Sequence, residues 1–269
     1  MIIKKDEIMV DYNDFKIKPY RRIFRICPKM YRNMLKKVPK NLVESIADPP
    51  KRKRCLEEDE VKALLKGHVT IDEKIDGGVL GLAWGGFPVT VGKHSMVDYD
   101  KGSRKKFYGL KEWIYKNYEK ISEIPLGWIV YGEWMRSRHH IPYVDLRDYF
   151  VGFDVWDGDK KRFLNIIDRS IFLDSLGFAE VPVIYSGTDL GVEDLICITE
   201  GVGGVGNKSI FNCDEIIEGI IIRNDNGLVG KYVRREFSES IEKNWLTSPL
   251  VENKLVSWKL KMERDINAE

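Results

Sequence analysis

The spacing of apolar and polar residues divides the chain into a basic opening, a long strand-rich middle and a polar end. In Lys16-Ile17-Lys18-Pro19-Tyr20-Arg21-Arg22-Ile23-Phe24-Arg25-Ile26 charge is interleaved with aliphatic and aromatic groups, which suits a strand or extended arm with one basic face. Pro28, Pro39 and Pro49-Pro50 interrupt the stretch up to residue 50. The pattern then predicts a helix over 56–66, stopped by Gly67. Residues 69–73 read as a strand, Asp76-Gly77-Gly78 as a turn and 79–84 as the returning strand. Helical spacing covers 107–119, with Leu110, Trp113, Ile114 and Tyr118 on one apolar face. Strands are expected over 128–135, 149–156 and 179–185, and helices over 166–176, before Gly177, and 192–200. Residues 218–223 and 229–233 form an expected hairpin around Asn224-Asp225-Asn226-Gly227, an Asn-Gly turn signal. Two helices are expected in the tail, one near 238–245 and one starting at Ser248-Pro249.

Composition narrows this little. The 269 residues suffice for one large domain, or one with a small appendage, and 43% hydrophobic residues allow a full core. No apolar run approaches the length that spans a bilayer, and the first residues lack a secretory pattern, so a cytoplasmic (in a eukaryote, alternatively nuclear) protein is expected. Cys27, Cys55, Cys197 and Cys213 have no CxxC spacing and are expected to be reduced, mostly buried thiols. His139-His140 suits a loop or strand edge better than a metal pair, because adjacent side chains rarely face one site. Charge changes the picture more. Residues 16–54 hold 14 Lys/Arg against 2 acids, so a segment of net +12 precedes a mildly acidic body. With Tyr20, Phe24 and Tyr31 interleaved, that segment suits contact with a nucleic-acid backbone and its bases.

Five short motifs occur in order along the rest of the chain. Glu73-Lys74-Ile75-Asp76-Gly77 puts a lysine at a strand end before a tight turn, where a site that favours the neutral amine makes it a nucleophile. Alone, it reads equally as a charged hairpin. Tyr131-Gly132-Glu133-Trp134 ends a strand with a carboxylate suited to ribose hydroxyls or a metal-bound water. Phe150-Val151-Gly152-Phe153-Asp154-Val155-Trp156 offers an aromatic platform for a purine. Glu218-Gly219-Ile220-Ile221-Ile222-Arg223 places an acid suited to a hard divalent cation beside a glycine that permits close approach. Gly230-Lys231-Tyr232-Val233-Arg234 supplies cations for a phosphate that gains charge.

In this order the motifs resemble those of the covalent nucleotidyltransferases, the superfamily of DNA ligases, RNA ligases and mRNA capping enzymes. The resemblance covers about residues 69–237, and flanks such as Phe153-Asp154-Val155-Trp156-Asp157 and Leu176-Gly177-Phe178-Ala179-Glu180-Val181-Pro182 are closest to the RNA ligase branch. It implies an α+β fold: an ATP-grasp-like adenylation domain of antiparallel sheets with flanking helices over 67–237, after a basic segment at 1–66 and before a helical tail at 238–269. No C-terminal OB barrel is expected, because 32 residues follow Phe237.

The implied activity is ATP-dependent RNA ligation, with DNA ligation or nucleic-acid binding without sealing as alternatives. Lys74 would form lysyl-AMP, pass AMP to a 5′-phosphate end and release it as a 3′-hydroxyl seals. ATP and Mg²⁺ (or Mn²⁺) are the implied cofactors, RNA ends the implied partners and RNA repair the implied setting. By motif position Glu133 resembles the ribose acid, Phe153 the adenine-stacking ring, Glu218 a metal acid and Lys231 the phosphate lysine, with Glu133 also counted for metal. Glu73, Asp76, Gly77 and, more loosely, Arg104 join the nucleotide-binding set. One departure stands out: many ligases carry a second lysine two positions after Lys231, where this chain has Val233, with Arg234 or Lys243 as candidate substitutes.

Overall fold

The computed structural model describes residues 20–27, 55–92, 97, 99, 105–201, 208–240 and 249–256. In chain order the elements are β1 (Phe24–Arg25), α1 (Glu58–Leu64), β2 (Val69–Lys74), β3 (Gly78–Trp84), β4 (Pro88–Gly92), α2 (Leu110–Lys116), α3 (Tyr118–Ser122), β5 (Ile129–Trp134), β6 (Phe150–Asp157) and β7 (Arg162–Phe163). Then come α4 (Ile166–Ser175), β8 (Ala179–Glu180), β9 (Val183–Gly187), α5 (Val192–Glu200), β10 (Lys208–Ser209), β11 (Asn212–Ile216), β12 (Gly219–Asn224), β13 (Val229–Val233) and α6 (Arg235–Ser240).

Two mainly antiparallel sheets carry the fold. One has the order β1-β13-β12-β2-β9, the other β4-β3-β5-β6-β7 with β8 added along β6. Alternation along each strand gives each sheet two faces. In the first sheet Val69, Ile71, Ile220 and Ile222 pack outward on Val61 and Leu64 of α1 and Leu195 and Ile196 of α5. In the second, Leu80, Leu82, Val130 and Val155 pack outward on Leu110, Trp113 and Ile114 of α2, Ile121 of α3 and Leu173 of α4. A third apolar cluster, with Ile75, Tyr131, Phe153 and Val233, lies where the two sheets meet. The result is the expected α+β architecture with no closed barrel among the described residues.

Several expectations need correcting. Strand 79–84 does not return beside strand 69–73: β2 pairs with β12 and β9, whereas β3 pairs with β4 and β5. The turn between them is a crossing from sheet to sheet. Residues 179–185 are likewise two strands in two sheets, because Pro182 has no amide for a ladder and the chain crosses there. The helix over 107–119 is two, broken at Asn117, whose side-chain amide donates to the Trp113 carbonyl at 2.8 Å. The helix expected to start at Ser248-Pro249 does not form over 249–256. Residues 249–256 run extended against 136–146, with Asn253 donating to the Met135 carbonyl at 2.7 Å. The backbone partners offered by that neighbouring segment outweigh a weak local helix signal. Of the helix over 238–245, α6 covers the start and 241–248 lie outside the described residues.

The cysteines also differ from expectation. Cys27 and Cys55 form a disulfide with Cα atoms 6.0 Å apart, Cys197 is half-buried and Cys213 is exposed. The pairing arises from topology: Arg25 bridges Cys55 in parallel, so the chain beyond β1 comes back beside it before α1.

Candidate active site

Lys74 ends β2, and Ile75-Asp76-Gly77 carries the chain across to β3 in the second sheet. Gly77 has no room for a side chain, since a Cβ there would lie 2.5 Å from Met135 Sδ and 2.9 Å from the Trp134 carbonyl oxygen. Asp76 anchors the crossing. Its amide donates to the Tyr143 hydroxyl at 2.9 Å, and its carboxylate accepts the His140 amide at 2.8 Å. The histidine pair sits in a loop as expected, but its adjacent side chains both face one group: the Nδ1 atoms of His139 and His140 lie 3.6 and 3.2 Å from the Asp76 carboxylate. Burial by itself would raise the Asp76 pKa, but the His139 hydrogen bond, the His140 amide and the Lys74 charge bring it down to about 2.

A cavity of about 850 Å³ opens between the sheets. Lys74, Ile221, Arg223 and Lys231 line it from the first sheet, Val79, Glu133 and Phe153 from the second, and Tyr20 to Arg25 from the segment that contains β1. The ladder explains the central contact. Gly219 pairs with Lys74 on one side and Val233 on the other, and Glu218 directly precedes it. Lys74 Nζ accordingly donates to Glu218 Oε2 at 2.6 Å. Burial presses Lys74 toward the neutral amine, but Glu218, Glu133 and Asp76 together outweigh it and hold the ammonium charged, above its ordinary pKa.

Glu133 is under the opposite stress. Burial pushes its carboxyl up to about 8; Lys74 opposes that shift and Glu218 adds to it. Its Oε2 atom is buried without a hydrogen-bond partner. An orphaned carboxylate oxygen close to a second acid is a donor set for a hard cation that shares its remaining positions with water and phosphate. Among the described residues no three His, Cys, Asp or Glu side chains gather into an all-protein cage.

The other expected site residues divide between the cavity and its surroundings. Lys231 lines the cavity on β13, opposite Ile221. Phe153 lines it too, but Tyr20 meets its ring edge-on with centroids 4.9 Å apart, so two rings rather than one form that wall. The carboxylate of Glu73 points to the other face of β2, where it accepts the Ile210 amide at 3.2 Å. Val233 is buried between the sheets, and Arg234 is committed to Glu200 and Glu236 at 3.2 and 2.6 Å. Arg104, Lys243 and Tyr31 lie outside the described residues, as does most of the basic segment. Tyr20 and Phe24 are partly buried, each packed against an apolar cluster, and both line the cavity.

Sequence reasoning missed a buried ionic network behind the cavity. Asp72 on β2 accepts Arg169 Nη1 at 2.9 Å and Arg223 Nε at 2.8 Å on one oxygen. Arg169 also donates to Glu180 at 2.6 Å, and Arg223 to Asp154 at 3.0 Å. Both arginines donate to the Phe153 carbonyl, at 3.0 and 3.1 Å. Asp154 further accepts Tyr20 and Arg21, each at 3.1 Å. The network ties the first sheet to β6, β8 and α4 of the second and fixes the backbone that presents Phe153. The available signal was a charge in apolar company: Asp72 within a strand, and Arg169 four residues from Leu173 on the inward face of α4.

No significant match occurs among curated proteins. A Naegleria gruberi RNA ligase mutant solved with ATP and Mn is 14% identical with a TM-score of 0.52, over 68% of this chain and 54% of that one. The Naegleria gruberi RNA ligase with PPi is 15% identical with a TM-score of 0.53, over 71% and 58%. At that identity the likeness is one of fold, and this chain spans little more than half the length of those ligases. The sequence model of the RNA ligase family matches residues 67–238, well over half of the chain, from just before β2 into α6. With the crossing lysine and its carboxylates lying inside that span, the chain belongs to the RNA ligase family.

Proposed function

We propose that this chain is an ATP-dependent RNA ligase that joins 5′-phosphate to 3′-hydroxyl ends through lysyl-AMP at Lys74, in cytoplasmic RNA repair. The observation that carries the proposal is the placement of Lys74 Nζ, at a strand end inside a cavity and 2.6 Å from Glu218, with Lys231 on the same wall and Glu133 and Phe153 on the facing one.

The chemistry runs in three steps. Neutral Lys74 Nζ attacks the α-phosphorus of ATP; the N–P bond forms as the bond to pyrophosphate breaks, and Nζ loses its proton. A 5′-phosphate oxygen then attacks the same phosphorus, and the N–P bond breaks as Lys74 regains a proton. Last, a 3′-hydroxyl oxygen attacks the activated 5′-phosphorus, and AMP departs as the hydroxyl proton is released.

The chain's own residues prepare the first step. Burial already favours the neutral amine, and only the carboxylates around Lys74 keep it charged. Any binding event that draws Glu218 and Glu133 away from it therefore frees the nucleophile. Those two acids would hold a Mg²⁺ or Mn²⁺ ion, which neutralises phosphate charge. Lys231 offsets charge on the transferring phosphate, Phe153 and Tyr20 border the base, and Gly219 lets β13 approach.

The test is incubation with α-labelled ATP and Mg²⁺, then denaturing electrophoresis. Wild-type protein should retain label, and Lys74→Ala or added EDTA should abolish it. Wild-type protein freed of bound AMP that takes no label would refute the enzyme reading. Nicked duplexes with RNA or DNA at the 3′-hydroxyl side then test the substrate: sealing of DNA ends alone would refute an RNA ligase.

A further inference from the structure

The missing second lysine leaves a question of charge. Lys231 and the residue two positions on share one face of β13, and at that second position Val233 is buried in apolar company. Arg234 cannot turn toward the cavity without abandoning Glu200 and Glu236. Yet the cavity must counter the charge of a bound triphosphate, and its central cation, Lys74, is already held by Glu218.

The structure supplies a cation from a different part of the chain. β1 lies parallel to β13, with Phe24 beside Gly230 and Arg25 beside Lys231. Register partners in neighbouring strands project to the same side, so Arg25 and Lys231 face the cavity together, and both line it. Arg25 is half-buried. Its Nη1 makes one long contact, 3.4 Å to the Ser238 hydroxyl, and its Nε is buried with no partner. Burial presses its pKa down, and the nearby Glu218 charge opposes that. A partly desolvated guanidinium with an unspent donor, beside Lys231 and near enough to feel the Glu218 charge, has the chemistry of an anion site. Its placement is secured twice, by the ladder to β13 and, two residues on, by the Cys27–Cys55 disulfide.

We propose that Arg25 is a nucleotide-binding residue that contacts the phosphate chain of ATP and takes over the role of the second lysine absent at Val233. The inference rests on the nucleotide cavity proposed above, but not on covalent transfer to Lys74. It assigns to the segment before the family-matched region a direct part in the site.

The experiment compares two ligands, α,β-methylene-ATP and adenosine, by calorimetry on wild type, Arg25→Gln and Arg25→Lys. A charged hydrogen bond to phosphate predicts that Arg25→Gln weakens the triphosphate analogue about tenfold to a hundredfold. Adenosine should change by less than about twofold, because it has no phosphate. Arg25→Lys should recover much of the loss, which a purely structural role would not produce. Unchanged analogue affinity in Arg25→Gln, or equal loss for both ligands, overturns the proposal, as does a wild type that binds no analogue. If the analogue binds with the expected dependence on Arg25 while labelled ATP leaves Lys74 unmodified, the ligase reading fails and Arg25 stands. If Lys74 is labelled normally in Arg25→Gln at limiting ATP, Arg25 alone falls.

Discussion

Asp72→Asn is the substitution with the most to reveal about how the cavity is held open to the right shape. Asp72 is 1% exposed and is the shared partner of two arginines, one fully buried and one nearly so. Removing one member of a buried pair costs about 3–5 kcal/mol, because the remaining charge has neither water nor partner. Here neither arginine is left alone: Arg169 keeps Glu180 at 2.6 Å, and Arg223 keeps Asp154 at 3.0 Å. Both also keep the Phe153 carbonyl. The low end, about 3 kcal/mol, is therefore expected. For a domain of this size that lowers Tm by roughly 6–12 °C. Arg169→Met should cost a similar amount, since Asp72 retains Arg223 but loses its two-pronged contact. The singles should not add, because each removes the same Asp72–Arg169 interaction; the double variant should fall short of their sum by about 1–3 kcal/mol. Urea unfolding of the four proteins measures this. A cost below about 1 kcal/mol for Asp72→Asn, or strict additivity in the double variant, would show that the network contributes shape without energy.

Other outcomes rest on the same geometry. In Gly219→Ala the new Cβ would fall 2.2 Å from the Tyr232 carbonyl oxygen and 2.9 Å from Val233 Cα, so β12 and β13 must part. Unfolding assays should show a loss of about 1–3 kcal/mol, with a larger fall in Lys74 labelling because Glu218 is carried along. Asp76 has its pKa depressed from 3.8 to about 2, so it contributes stability that is present above pH 3.8 and lost as pH falls toward 2. Asp76→Asn should be about 2 kcal/mol less stable than wild type at neutral pH and converge with it at pH 2, as followed by acid-dependent urea unfolding. A constant difference across that window would contradict the assignment. Cys55→Ser opens a disulfide whose cysteines are 28 residues apart. A loss of about 3–4 kcal/mol is expected for such a loop, and reductant should reproduce it in the wild type.

Much of the site could be read from the sequence because it is written in local terms. Lys74 before Asp76-Gly77, Glu218 before Gly219, and Lys231 within a strand are short patterns, each set by the geometry of one strand end or one close approach. The β12–β13 hairpin is set by its turn, where Gly227 has φ +76° and Asn224 accepts the Leu228 amide at 3.0 Å. The long strands and the helices α4 and α5 likewise arise from period and stop signals. The amphipathic face that forms each element is also the face that packs.

What only the tertiary structure decided are the relations between distant segments. Nothing in 69–84 says that its two strands enter different sheets, because a turn constrains direction but not partners. The shared ions of Asp72, Arg169 and Arg223, up to 151 residues apart, exist only where burial removes water and forces charges to find each other. The disulfide, the rings of Tyr20 and Phe153, and Arg25 beside Lys231 all depend on β1 docking along β13. The sequence by itself determined the motifs that hold Lys74, Glu133, Glu218 and Lys231 and most of the strands that carry them, because those are properties of single elements. Folding determined which charges surround them, because electrostatic partners are chosen by distance in space and not by distance along the chain.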